Sequence, residues 1–205
     1  MDELNVTKIL KKDLGFSSIS VEKIKKLVHH LLKQNKRYNL ISKSTENSIW
    51  DRHILDSAQI IKFIDFNRIR KLVDFGSGAG FPGLIIALYH QNSSFHVKLY
   101  EKSPVKRDFL KYLINDLDIK NISIENNVYE KEIVADVIVC RAFKKLGEII
   151  NISREIVKKP HKLIILKGKS AQTEINNVSF DQNYSYKLEN SITNHDSKII
   201  IVEVM

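Results

Sequence analysis

Up to about residue 70 the apolar positions keep a helical rhythm. Ile24, Leu27, Val28, Leu31 and Leu32 recur three or four apart from Ser20 onward, as one buried stripe on an amphipathic helix. Ile9, Leu10 and Leu14 mark a shorter helix before it, ended by the break at 15–18. A third segment opens at Arg52-His53-Ile54-Leu55-Asp56-Ser57 and stays helical through Ile60, Ile61 and Ile64. Arg52, His53 and Asp56 fall within about one turn of each other there. Such a trio reads either as a hydrogen-bonded junction or as part of a site.

Beyond residue 70 the rhythm changes, and strands alternate with helices. An apolar run ends at Phe75, and Leu84–Tyr89 follows as a helix. Phe95–Tyr100 alternates as a strand and ends at Glu101. Pro104 opens a helix whose core face is Val105, Phe109, Leu110, Leu113 and Leu117. Ile122–Glu125, Val134–Cys140, Leu163–Leu166, Tyr184–Leu188 and Lys198–Val204 complete seven strands. This order predicts an α/β protein: a mostly parallel sheet, helices on both faces, and a small helical N-terminal extension. The boundary falls between residues 1–68 and 69–205. Ligands of such sheets sit at the carboxyl ends of the strands. Asp74, Glu101, Arg141 and Lys167 all fall at ends of that kind.

The stretch between the first strand and its helix reads L-V-D-F-G-S-G-A-G-F-P-G, and four of the 7 glycines of the chain lie in it. Two ligands compete for this loop. Gly78, Gly80 and Gly83 satisfy the dinucleotide spacing G-x-G-x-x-G. Asp74, Gly76, Gly78 and Gly80 satisfy D-x-G-x-G-x-G, the usual first motif of S-adenosylmethionine methyltransferases. Charge favours the second. A pyrophosphate needs free amides and positive potential, whereas a sulfonium and an ammonium gain from a nearby carboxylate. Glu101 follows about 20 residues later, where an acidic residue holds ribose hydroxyls.

The chain has 205 residues and a net charge of +9, one domain or one domain with an appendage. A basic balance suits a polyanion such as nucleic acid, although a lysine-rich composition alone produces the same sign. Lys23, Lys25, Lys26, Lys33, Lys36 and Arg37 make the second helix a candidate RNA-facing surface; singly, each reads as a solvated charge. The single cysteine, Cys140, rules out an internal disulfide and reads as core packing. No apolar run approaches a membrane span and the N-terminus lacks a signal-peptide core, so a cytoplasmic protein is expected. The 7 histidines are scattered, and no metal site is expected.

Five segments then converge: Y-N-L-I-S (38–42), R-H-I-L-D-S (52–57), V-D-F-G-S-G-A-G-F-P-G (73–83), C-R-A-F (140–143) and L-K-G (166–168). In this order and spacing the chain resembles the bacterial ribosomal RNA small-subunit methyltransferase G family, also called glucose-inhibited division protein B. The resemblance implies a Rossmann-like class I methyltransferase that uses S-adenosyl-L-methionine to methylate N7 of one guanine in 16S ribosomal RNA. It implies cofactor contacts at Gly76, Phe81, Tyr129, Glu130 and Arg141, beside the Asp74, Gly78 and Glu101 read from the motif itself. Arg141 and Lys167 are candidates to hold the base or a phosphate at the reaction centre. His53 and Asp56 are candidates to close over it from the N-terminal helices. The expected partner is 16S ribosomal RNA in the small subunit, bound by a monomer. Two alternatives stay open at this level: a nucleotide-dependent oxidoreductase, and an RNA-binding module with a vestigial pocket.

Overall fold

The computed structural model describes residues 1–92, 94–129, 132–180 and 183–205. Two helices lead: α1 (Glu3–Lys12), capped by the Asp2 carboxylate, and α2 (Ser18–Asn35), capped by the Ser17 hydroxyl. The Asn35 side chain then turns the chain, its Oδ1 accepting from the amides of Leu40 and Ile41 at 2.8 and 2.9 Å.

The third helical segment is not the uniform α-helix that its spacing predicts. A 3₁₀ turn (Lys43–Ser48) leads to a π-helical turn (Trp50–Leu55), a short α3 (Asp56–Ala58) and a second 3₁₀ turn (Gln59–Phe63). Ile64 is already extended. The π turn is visible in the Asp56 amide, which donates to the carbonyl of Asp51 five residues back. Single π turns often mark functional positions, and this one carries Arg52 and His53.

From β1 onward strands and helices alternate: β1 (Lys71–Phe75), α4 (Gly83–Tyr89), β2 (His96–Tyr100), α5 (Pro104–Asp116), β3 (Ile122–Glu125), β4 (Val137–Arg141), α6 (Leu146–Ile156), β5 (His161–Lys167), α7 (Ala171–Asn176), β6 (Tyr184–Asn190) and β7 (Lys198–Val204). The seven strands form one sheet in the order β3-β2-β1-β4-β5-β7-β6. Strands β3 to β5 run parallel, whereas β7 runs antiparallel between β5 and β6. The dinucleotide-binding order 3-2-1-4-5-6 has no such reversed insertion. Both faces of the sheet are covered, so alternate residues enter different cores. Leu72, Val97, Val139 and Ile201 join α1, α2, α4 and α5 on one side. Val73, Ile138, Ile165 and Val202 join α6 and α7 on the other. The N-terminal helices therefore share a core with the sheet itself.

The start of the fourth strand and the core face of α5 differ from the pattern. The fourth strand begins at Val137, not Val134, because the Asp136 carboxylate accepts from the amides of Arg70 and Lys71, both at 2.8 Å, and closes the strand's start. Val105 lies half exposed on the outer side of α5 instead of in its core face, while Phe109, Leu110, Leu113 and Leu117 are buried as expected. Cys140 is buried in β4, and burial pushes its thiol far up, which leaves it inert.

Candidate functional site

The loop between β1 and α4 turns its amides inward. Gly76 and Ser77 donate to the Tyr100 carbonyl at 2.9 and 3.0 Å, and Gly80 and Phe81 donate to that of Ser77. Two more go to carboxylates. Gly78 donates to Glu101 Oε2 at 2.8 Å, and Gly83 donates to Asp74 Oδ2 at 2.9 Å. A pyrophosphate held at a glycine loop requires these amides free, and here two carboxylates already occupy that place. The geometry fits a ligand that is cationic near the loop.

Gly76 and Gly78 are left-handed, with φ of 71° and 58°, a region that side-chain-bearing residues avoid. They line a cavity of 390 Å³ with Glu101, Tyr129, Ala142 and Phe143, a volume suited to a small-molecule ligand. Glu101 is fixed at its rim, since Oε1 also accepts from the Ser103 amide at 2.8 Å. Tyr129, also in the lining, stands half exposed. Glu130 lies outside the described residues.

Asp74, Phe81 and Arg141 do not line this cavity. Asp74 is completely buried, and its Oδ1 has no hydrogen-bond partner. Burial raises its pKa from 3.8 to about 7, against the opposing pull of the Gly83 amide. The sign follows from linkage. The unfolded chain ionises this group from about pH 4 and the folded one only near 7, so it costs stability as pH rises through that window. A cationic ligand favours the ionised form. Affinity for S-adenosylmethionine is therefore expected to rise by roughly tenfold from pH 6 to 8, and Asp74→Asn, which keeps an acceptor for Gly83, is expected to remove that rise. Calorimetry across this range measures it; identical pH profiles for the two proteins would contradict it.

A second cavity, of 450 Å³, opens on the other side of Ala142 and contains Thr45, Arg52, His53, Asp56, Arg141 and Lys167. Ala142 lines both cavities and is itself left-handed, with φ of 50°. That conformation costs a non-glycine residue about 1–2 kcal/mol, and such strain collects at functional positions.

Arg141 is the hub of the second cavity. Its guanidinium donates to the Arg52 carbonyl and to His53 Nδ1, each at 2.7 Å, and lies 3.6 Å from Asp56 Oδ2. It also stands 5.3 Å above the Phe81 ring. Because a guanidinium only donates, His53 Nδ1 must accept. Its Nε2–H then donates to Thr45 Oγ1 at 2.9 Å, and that hydroxyl donates to the Ser42 carbonyl at 2.8 Å. Burial first, then the charges of Arg141 and Arg52, lower the His53 pKa to about 3. His53 is held neutral, with both ring nitrogens engaged in hydrogen bonds.

Asp56 is similarly committed. Its Oδ1 accepts from Gln59 Nε2 and Thr193 Oγ1, both at 2.9 Å, so it ties α3 to the β6–β7 turn. Lys167 Nζ lies 2.7 Å from Glu174 Oε2 and donates to the Lys144 carbonyl. The structure thus gathers His53, Asp56, Arg141 and Lys167 around one cavity, and Gly76, Gly78, Glu101 and Tyr129 around the other. Thr45, Gln59 and Glu174 escaped the sequence reading. Gln59 follows Asp56 by one helical turn and carried a faint signal; Glu174 carried none, since only the fold brings it to Lys167.

A family model described as rRNA small subunit methyltransferase G matches residues 20–200. The ribosomal RNA small subunit methyltransferase G of Rickettsia felis is 38% identical over 183 residues, covering 89% of this chain and 92% of that protein. The protein of the same description from Pelagibacter ubique is 34% identical over 178 residues, covering 84% and 83%. Among solved structures, a SAM dependent methyltransferase from Aquifex aeolicus is similar in fold, with a TM-score of 0.60 at 13% identity over 78% of this chain and 94% of that one.

Proposed function

The chain belongs to the rRNA small subunit methyltransferase G family, and from that premise we propose the atom it methylates and the part each residue plays. It is an S-adenosylmethionine-dependent methyltransferase of ribosomal RNA, and its target is N7 of one guanine in 16S ribosomal RNA. We read it as a monomer of the cytoplasm; among the described residues no helix is long and apolar enough to cross a membrane. Residues 1–68 serve as a helical extension on a methyltransferase domain of residues 69–205.

The observation that carries the cofactor assignment is the capture of the Gly78 and Gly83 amides by Glu101 and Asp74. When bound, S-adenosylmethionine supplies an electrophilic methyl on a cationic sulfur. Gly76 and Gly78 let the backbone approach it, Glu101 takes its ribose hydroxyls, and Tyr129 borders its adenine. Asp74 acts through space by charge.

Guanine N7 presents an in-plane lone pair, so its methylation removes no proton and requires no general base. The neutral, doubly bonded His53 is in keeping with that. Catalysis then rests on holding N7 in line with the methyl, with reacting atoms about 3–3.5 Å apart. The guanine enters the second cavity, splayed from its stack, and Ala142 is the point where the two cavities meet. Arg141 and Lys167 line the wall against which the base is held. His53, Asp56 and Phe81 position Arg141.

The test is incubation of the protein with radiolabelled S-adenosylmethionine and small ribosomal subunits, or their naked RNA, followed by mapping of the label. One labelled guanine that cleaves under N7-specific chemistry is the expected result. Label at an exocyclic amine or ribose would overturn the assignment.

A further inference from the structure

We propose that the groove between the C-terminal end of α2 and the first turns of α5 is a stacking platform for single-stranded RNA flanking the target guanine. The proposal rests on the ribosomal RNA reading above and adds a surface that the reading does not name. Three large side chains that solvate poorly are exposed together here: Tyr38 at 46%, Val105 at 46% and Tyr112 at 43%. They line one groove of 300 Å³ with Arg37, Asp108 and Phe109. Clustered exposed apolar groups rimmed by charge mark an interaction surface.

The charges select the partner. Arg37 lines the groove, with Lys33 and Lys36 just before it in the chain, and none of the three has an ion-pair partner among the described residues. Asp108 is paired with Lys111 at 3.6 Å. Aromatic faces among unpaired cations are what a sequence-tolerant single strand requires, bases on the rings and phosphates on the cations. A protein partner would call for an apolar centre ringed by mixed charge.

The platform is rigid beforehand. The Tyr112 hydroxyl and His30 Nδ1 share a hydrogen bond of 3.0 Å, and His30 Nε2 lies 3.0 Å from Asp116 Oδ2. The Tyr112 and His30 rings meet edge to face at 5.2 Å. Fixing the ring before binding lowers the ordering cost on contact. Along the chain the groove lies close to residues of both cavities. Val105 borders it while the next residue, Lys106, lines the cofactor cavity. Tyr38 borders it while Thr45 lines the second cavity, seven residues on and so at most about 25 Å away. A strand whose guanine sits in the second cavity can reach the groove with its neighbouring nucleotides.

The experiment compares Tyr38→Ala/Tyr112→Ala with Tyr38→Phe/Tyr112→Phe in the full chain. It measures binding of a fluorescent uridine dodecamer, KM and kcat on small-subunit RNA, affinity for S-adenosylhomocysteine, and thermal stability. Base stacking on an aromatic ring is worth about 5- to 150-fold per base. The alanine pair is expected to weaken dodecamer binding and raise KM by at least about tenfold, with kcat and cofactor affinity within about twofold. The phenylalanine pair is expected to lose no more than about threefold, because it keeps the faces and loses only the hydroxyls, one of which orients Tyr112 beforehand. Unchanged binding and KM in the alanine pair, or equal loss in the phenylalanine pair, overturns the platform. Loss on assembled subunits with normal binding of naked RNA assigns the face to a protein partner and equally overturns it. A wild-type protein that binds the dodecamer through the tyrosines yet methylates no ribosomal RNA would sink the function and leave the platform standing.

Discussion

Gly76→Arg is expected to abolish cofactor binding, by more than about 100-fold, in a protein that still folds. The position fails a side chain twice over. Its φ of 71° costs any L-residue about 1–2 kcal/mol. A Cβ placed there would stand 2.6 Å from Cδ2 of Phe143, well inside contact distance. Phe143 borders the same cavity, so the ring can escape only by moving within the space that the ligand needs. A long cationic side chain adds charge repulsion against a sulfonium. Nothing else in the loop depends on Gly76 beyond its amide, which donates to Tyr100, so the sheet remains. Calorimetry with S-adenosylhomocysteine and a thermal melt separate the two effects: lost binding with a melting temperature lowered by only a few degrees is expected. Retained binding would mean that the cavity does not hold the cofactor.

Arg141→Ala is expected to produce the largest loss of stability of any single change at the site. It strips a donor from the Arg52 carbonyl and from His53 Nδ1, and a counter-charge from Asp56. Removing one member of a fully buried charged pair costs about 3–5 kcal/mol; this pair is partly exposed, at 19% and 16%, so a cost near the lower end is expected, which in a chain of this size corresponds to a melting temperature about 10 °C lower. The loss is geometric as well as electrostatic. Arg141 joins β4 to the π turn, so its removal also frees the N-terminal wall of the second cavity. Methyl transfer is expected to fall by at least about 1000-fold. Arg141→Lys retains charge without the planar fork and is expected to recover part of the stability but little of the rate. A melt within 2–3 °C of wild type, or near-normal transfer by the lysine variant, would be incompatible with this role.

The parts of the fold that follow from local chemistry were legible in the sequence. Alternation from residue 70 onward marked strands and helices, and the strand ends carried Asp74, Glu101, Arg141 and Lys167 to one edge of the sheet. The glycine motif was legible as well, but one of its glycines had an unexpected task. Gly83 completes the dinucleotide spacing only formally. A Cβ there would lie 2.8 Å from Asp74 Oδ2, so Gly83 is bare in order to receive that carboxylate.

What could not be read depends on contacts between distant residues. No residue preference announces a π turn at Trp50–Leu55, because its extra residue is absorbed by the backbone. Ala142 takes a left-handed conformation that alanine does not favour, so only the assembled structure reveals it as the shared wall of two cavities. By spacing, Arg52, His53 and Asp56 read equally as a hydrogen-bonded junction or as part of a site, and only the fold shows His53 and Asp56 held in structural hydrogen bonds. The same fold hides Asp74 from the cavity that its charge was expected to line.

The central claim is electrostatic: the glycine loop is closed to phosphates and open to a cationic methyl donor. Titration calorimetry with S-adenosylmethionine and with NAD, at equal concentrations and pH 8, tests it most directly. Saturable one-to-one binding of S-adenosylmethionine with no measurable heat from NAD is the expected result. Binding of NAD at equal or higher affinity would contradict it.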